Sequence, residues 1–164
     1  MVPTFEHFGK QALPVIEDSG VTVRLILGNA YGEAAPAKMF TETFYADVAL
    51  EAGARLPMPD DHEDRGIYIV EGSISIAGQA FDAGQMMVFR PDDRITVAAG
   101  ERGARLMILG GATFPGPRYI WWNFVASSKE RIEQAKVEWR AENWGKGQFD
   151  LPADDRDEHI PLPD

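Results

Sequence analysis

Gly53-Ala54-Arg55-Leu56-Pro57-Met58-Pro59-Asp60-Asp61-His62-Glu63-Asp64-Arg65-Gly66-Ile67-Tyr68-Ile69-Val70-Glu71-Gly72 is the stretch on which the fold turns. Ala52-Gly53-Ala54 reads as a turn. Pro57 and Pro59 keep the next segment extended and near a sheet edge, because proline cannot donate to a ladder. An acidic run, Asp60 to Asp64 around His62, then leads into Ile67–Val70, whose β-branched and aromatic residues make the strongest strand signal in the chain. Glu71-Gly72 marks a bend or bulge. Ser73-Ile74-Ser75-Ile76 resumes the alternation, and Ala77-Gly78-Gln79 turns the chain back.

The same punctuation extends in both directions. Upstream, residues 21–27 read as a strand ending at Gly28, residues 29–38 as a loop around Gly32 and Pro36, and residues 39–50 as a long strand carrying Phe40, Phe44 and Val48. Downstream, Phe81 opens a returning segment, and Met86–Phe89, Ile95–Val97 and Ala104–Leu109 follow between turns at Gly84 and Pro91-Asp92-Asp93. About eight short strands at close spacing predict an all-β sandwich or barrel, and their order suits a jelly roll. Beyond Gly110-Gly111 the pattern changes. Pro115, Gly116 and Pro117 make a loop, and Ile120–Val125 is dense in aromatics, with Trp121 and Trp122 expected on opposite faces of an extended segment. Ser127-Ser128-Lys129-Glu130 reads as a capping box with Ser127 as the cap, opening a helix from about Ser128 to about Asn143. Ile132, Ala135 and Trp139 share its apolar face, Lys129 and Glu133 are an i,i+4 pair, and Gly145 and Gly147 stop it. The expected organisation is a link segment over 1–20, a barrel over 21–111, a loop and helix packing on the barrel over 112–147, and an acidic tail over 148–164.

The chain has 164 residues, 45% hydrophobic and 26% charged, the composition of one soluble globular domain. It carries 16 Lys and Arg against 26 Asp and Glu, a net charge of −10 that repels phosphate backbones and anionic membrane surfaces. Nucleic acid and membrane are therefore not expected as partners. With no cysteine, disulfides, thiolate metal sites and Cys nucleophiles are excluded. The Met1–His7 segment lacks a basic region followed by an apolar core, so no secretory leader is read there and the cytoplasm is the expected compartment.

Gly53 and Gly72 fit the frame of the first cupin motif, G-x5-H-x-H-x3-E-x6-G, whose two His and one Glu hold a metal from the inner barrel wall. In that register the ligand positions are filled by Pro59, Asp61 and Arg65. The second motif, G-x5-P-x-G-x2-H-x3-N, is looser. Gly84 is followed by Pro91 one residue late, Asp93 replaces the inner glycine and Thr96 stands for the histidine. A guanidinium at position 65 puts positive charge where a cation would sit, so no cofactor is expected. Pro59, Asp61, Arg65, Tyr68 and Thr96 are the candidates for the barrel cavity, Tyr68 only if the strand is bulged between it and Arg65. The weak metal candidates are His62, Asp61 and Glu63, beside Asp60. Alternation along a strand lets at most two of these converge, and the plainer reading is a solvated acidic loop at the rim. Arg65 is expected to pair with Glu63 or Asp64. Glu42, Asp47 and Glu71 read as outward, solvated acids.

The segment Ile120-Trp121-Trp122-Asn123-Phe124-Val125-Ala126-Ser127-Ser128-Lys129-Glu130-Arg131-Ile132-Glu133-Gln134-Ala135-Lys136 resembles the closing loop and helix of pirin-like proteins. His62–Gly72 resembles the central hairpin of their C-terminal cupin domain, and the ending Glu158-His159-Ile160-Pro161-Leu162-Pro163 is also similar. The resemblance implies a single cupin, a double-stranded β-helix or jelly-roll barrel with a C-terminal α-helix, matching the second domain of a bicupin. It also implies that the family metal, usually iron, is held by the first domain, so no position here inherits a ligand. The expected role is a metal-free binding or structural domain, with a possible small-molecule ligand. The alternative is a metal-dependent dioxygenase of the quercetinase type, using iron or another divalent metal. Exposure of a surface that a first domain would cover predicts a homodimer.

Overall fold

Alternation of buried and exposed residues builds the strands. In a computed structural model, whose described residues are 6–163, the chain divides between Thr113 and Phe114 into two units. Of the Met1–His7 segment in which no secretory leader is read, residues 1–5 fall outside the described residues, as does residue 164 of the acidic tail. The first unit contains β1 (Val15–Asp18), β2 (Val21–Ala30), β3 (Glu33–Ala34), β4 (Thr43–Leu50), β5 (Arg55–Pro57), β6 (Asp64–Ile76), β7 (Gln79–Asp82), β8 (Met86–Phe89) and β9 (Thr96–Gly111). These pair antiparallel in the order β1-β2-β4-β9-β6-β7, with β3 on β2, β5 on β9 and β8 on β6. This is the jelly-roll barrel that the sequence predicts.

Leu25, Phe44, Ile67, Ile69, Leu106 and Ile108 project inward from four neighbouring strands and are fully or almost fully buried. Each such side chain contributes about 1.5–3 kcal/mol relative to exposure, so this layer is the main source of the barrel's stability. Residues 67–70 and 73–76, read as separate stretches, belong to one strand. Its register shifts between Ile69 and Glu71 and again between Gly72 and Ile74, the bulge that Glu71-Gly72 predicts. The segments 95–97 and 104–109 likewise fuse into β9, which is long enough to pair β5 at one end and β4 at the other.

Two expectations along the barrel need correction. The strand expected over 39–50 begins only at Thr43, and Phe40 is 67% exposed. The strand expected to end at Gly28 runs on to Ala30, passing a register shift between Leu25 and Leu27.

The second unit holds a hairpin, β10 (Tyr119–Trp121) and β11 (Phe124–Ala126), and the helix α1 (Lys129–Arg140). Trp122 is not on an extended strand. It turns the hairpin at φ +48, and both tryptophans join the aromatic cluster around Phe124, Ile132 and Ala135. The helix cap is Ser128, whose Oγ accepts from the Arg131 amide at 3.3 Å, one residue later than expected from Ser127. The helix ends at Arg140, short of Asn143. The left-handed residue after its C-cap is Glu142, at φ +53, so the terminator is not Gly145 or Gly147. Glu133 pairs with Lys136 rather than Lys129, whose ammonium lies over the Tyr119 ring. Among the described residues, no helix is long and apolar enough to cross a membrane.

Candidate functional site: an arginine in the barrel mouth

The candidate residues cluster on the loop from β5 into β6 and on the turn after β8. Inward-facing odd positions of β6 begin at Arg65, which precedes the buried Ile67 and Ile69. Arg65 is 2% exposed. Its Nη1 donates to the Pro59 carbonyl at 3.1 Å, and its Nη2 donates to the carbonyls of Arg90 at 3.3 Å and Asp93 at 2.7 Å. The acceptors lie 6, 25 and 28 residues away, so one side chain ties two loops to the start of β6. The turn it grips is closed on itself. The Arg90 amide donates to the Asp93 carboxylate at 3.2 Å and the Asp93 amide to the Arg90 carbonyl at 3.3 Å. Three carbonyl dipoles stabilise the buried cation in place of an anion.

The expected ion pair of Arg65 with Glu63 or Asp64 does not form. Both acids are outward and engage Thr113 instead, Glu63 through its amide at 3.4 Å and Asp64 through its hydroxyl at 2.8 Å. Among the described residues, the Arg65 Nε has no hydrogen-bond partner.

His62 also departs from the solvated rim loop that the acidic run suggests. Asp60, Asp61, Glu63 and Asp64 are exposed, but His62 is 8% exposed. Its ring lies 4.8 Å from the Phe44 ring, centroid to centroid. Its Nε2 is 3.3 Å from the Asn29 carbonyl, which can only accept, so this contact needs the proton on Nε2. Nδ1 is buried, with no hydrogen-bond partner among the described residues. Asp61 reaches His62 Nε2 only at 3.7 Å, and its own side chain is 70% exposed.

The remaining cavity candidates do not converge. Pro59 is buried and contributes its carbonyl, not a side-chain donor. Thr96 is half-buried at the start of β9, opposite Pro57. Tyr68 is 40% exposed on the other face from Arg65, because the register of β6 runs unbroken between them. Of the acids read as solvated, Asp47 accepts two hydrogen bonds from Arg105, both at 3.0 Å.

The four positions of the metal frame therefore hold a proline ring with no side-chain donor atom, an exposed carboxylate, a buried guanidinium and a half-buried hydroxyl, which do not make a ligand set for a divalent cation. The described residues contain no group of three His, Asp or Glu side chains placed to share an ion. The parts missed in the sequence are the carbonyls of Asn29, Pro59, Arg90 and Asp93, which no side-chain pattern could reveal.

Tyr31 borders the same loop. Its hydroxyl donates to the Pro57 carbonyl at 2.9 Å, and burial raises its pKa above the ordinary phenol value. Unfolded, Tyr31 ionises near pH ~10, whereas folded it keeps its proton. The folded state thus binds more protons above that pH, and stability falls as pH rises through it. A 295 nm titration should show one of the 4 tyrosines ionising only with unfolding, and Tyr31→Phe should flatten that alkaline loss.

Comparison with known proteins agrees with the geometry. Residues 45–145 match the model of the Pirin C-terminal cupin domain. A pirin-like protein of Caulobacter vibrioides is 40% identical over 99% of this chain and 54% of its own length. A Pseudomonas aeruginosa protein named putative quercetin 2,3-dioxygenase is 30% identical over 99% of this chain and 51% of its own. The crystal structure of a quercetin 2,3-dioxygenase from Acinetobacter baumannii superposes with a TM-score of 0.75 at 23% identity, over 92% of this chain and 50% of that one, a likeness of fold. The chain spans about half the length of the curated relatives it matches, and it belongs to the pirin family through its C-terminal cupin domain.

Proposed function

We propose that this chain acts as a cupin binding or structural domain without a resident metal. The observation that carries this reading is the buried Arg65 guanidinium, hydrogen-bonded to three backbone carbonyls at the frame position where a cupin carries its ligand glutamate. A cation already bonded there competes with a metal by charge and by volume. The acidic, cysteine-free composition supports a cytoplasmic setting.

A second reading, a flavonol dioxygenase with iron or another divalent metal, is favoured by the name of the Pseudomonas aeruginosa relative. It would have to recruit His62 and Asp61, an imidazole–carboxylate pair near the mouth, at 3.7 Å. Quercetin consumption in air, with Fe2+, Ni2+, Cu2+ or Mn2+ supplied in turn, separates the two. The first reading expects no loss of flavonol absorbance beyond a protein-free control. Consumption that scales with protein concentration would overturn it in favour of the second.

A further inference from the structure

The second unit seats its own tail on an aromatic surface. Ile132, Ala135 and Trp139 share one side of α1, at helical spacing. The rings of Phe124 and Phe149 lie 5.9 and 5.1 Å from the Trp139 ring, centroid to centroid. Residues 158–163 run across this surface. The Trp139 Nε1 donates to the Ile160 carbonyl at 2.9 Å. The His159 ring lies 5.0 Å from that of Trp144 and 6.1 Å from that of Trp139, and its Nε2 is 3.3 Å from the Glu142 carboxylate. Leu162 packs against the cluster, while Ile160, between these two anchors, is 66% exposed.

The sequence explains why the segment is held in this way. Pro161 and Pro163 fix their own φ and keep Ile160 and Leu162 out of the helical region. The segment is therefore extended before it docks and gives up little freedom on docking. Neither proline can donate to a sheet ladder. Among the described residues, the backbone of 158–163 has no backbone partner, and it is held instead by the indole bond to the carbonyl that precedes Pro161. An indole donor on an aromatic floor, reading a carbonyl in a proline-fixed segment, is the chemistry by which aromatic grooves bind proline-rich peptides. The groups that hold the tail, the Trp139 N–H, the Trp144 ring and the Glu142 carboxylate, all belong to the surface beneath it. None of these contacts requires the segment to be part of the same chain.

We propose that the Trp139 surface of the second unit is a docking site for extended, proline-flanked peptides of the pattern His-aliphatic-Pro-Leu-Pro, occupied in cis by residues 158–163. The tethered tail competes at an effective concentration on the order of 1 mM, so it shields the surface from weaker partners. The inference stands on contacts within the second unit, and metal in the barrel would neither support nor oppose it.

Anisotropy of a fluorescein-labelled peptide of residues 157–163, titrated with the full chain, tests this. Wild type should bind it weakly. His159→Ser combined with Leu162→Ser loosens the tail and leaves the groups beneath it intact. That variant should keep the far-UV circular dichroism of wild type and bind the peptide about tenfold more tightly or better. Adding Trp139→Phe, which keeps an aromatic ring and removes the donor, should weaken binding again by about fivefold. A peptide with alanine at both proline positions should bind about fivefold more weakly than the original, because it must be ordered on docking. A loosened chain that binds no more tightly than wild type, or that is indifferent to Trp139→Phe or to loss of the prolines, would overturn the proposal and leave the tail a structural closure. A loosened chain that self-associates in sedimentation and takes no peptide would also overturn it, giving the surface to a second copy.

Discussion

Arg65→Ala is expected to destabilise the barrel by about 3 kcal/mol, because its guanidinium is the shared donor for three carbonyls. Hydrogen bonds from a charged donor are worth about 1.5–3 kcal/mol each, which would sum to more than that. Two effects reduce the net figure. Removing a buried cation recovers part of its desolvation cost, and carbonyls near the mouth can take up water in the vacated space. Arg65→Met keeps most of the volume and should cost about 2 kcal/mol, which isolates the hydrogen-bond contribution from the cavity contribution. Arg65→Lys should not rescue, since one ammonium cannot reproduce a planar fork reaching three carbonyls on two loops. Urea unfolding with an unchanged m-value is the measurement. An alanine variant within ~0.5 kcal/mol of wild type would mean that Arg65 holds nothing together.

Gly28→Ala should cost more than 4 kcal/mol, in the range where a domain of this size loses soluble yield. Gly28 sits opposite Phe44 in the β2–β4 ladder at φ +71. A Cβ built there lies 1.6 Å from the Thr43 carbonyl oxygen and 2.6 Å from its carbon, both backbone atoms. Neither can move without breaking the pairing that places Phe44 in the core. Gly53→Ala is the internal control. It has nearly the same φ, +72, with nothing within 4 Å of the added carbon, so it reports the conformational cost alone, about 1–2 kcal/mol. A Gly28 variant no worse than the Gly53 variant would show that the ladder can yield at Thr43.

How much of this was legible depended on the range of the interaction. The strands were readable because alternation is a local signal. Ile67, Ile69, Leu106 and Ile108 go inward, and Tyr68 and Met107 go out, as period two requires. Glu71-Gly72 announced its bulge for the same reason. The helix was readable in kind but not at its ends. Two consecutive serines compete for the cap, and the hydroxyl of Ser128 wins, while Glu142 adopts the left-handed turn that Gly145 seemed better suited to make.

The site was legible in its frame and not in its contacts. The spacing from Gly53 to Gly72 identified positions 59, 61 and 65. It could not say that Arg65 would ignore its acidic neighbours. The nearby Glu63 and Asp64 favour an ion pair on local composition, but β6 points Arg65 inward and Asp64 out, and Glu63, just before the strand, is exposed. His62 was misread for a similar reason. Four acids around it suggest solvent, and only the fold brings Phe44 and the Asn29 carbonyl to its ring.

The proposed metal-free role follows from the Arg65 guanidinium at the frame position of a cupin's ligand glutamate, and the metal content of the purified chain tests it most directly. Elemental mass spectrometry on protein made without an affinity tag and without chelator should find iron, nickel, copper, manganese and zinc together far below one atom per chain. A near-stoichiometric metal that survives dialysis would contradict it, since such an ion would need ligands where Arg65 now binds Pro59, Arg90 and Asp93.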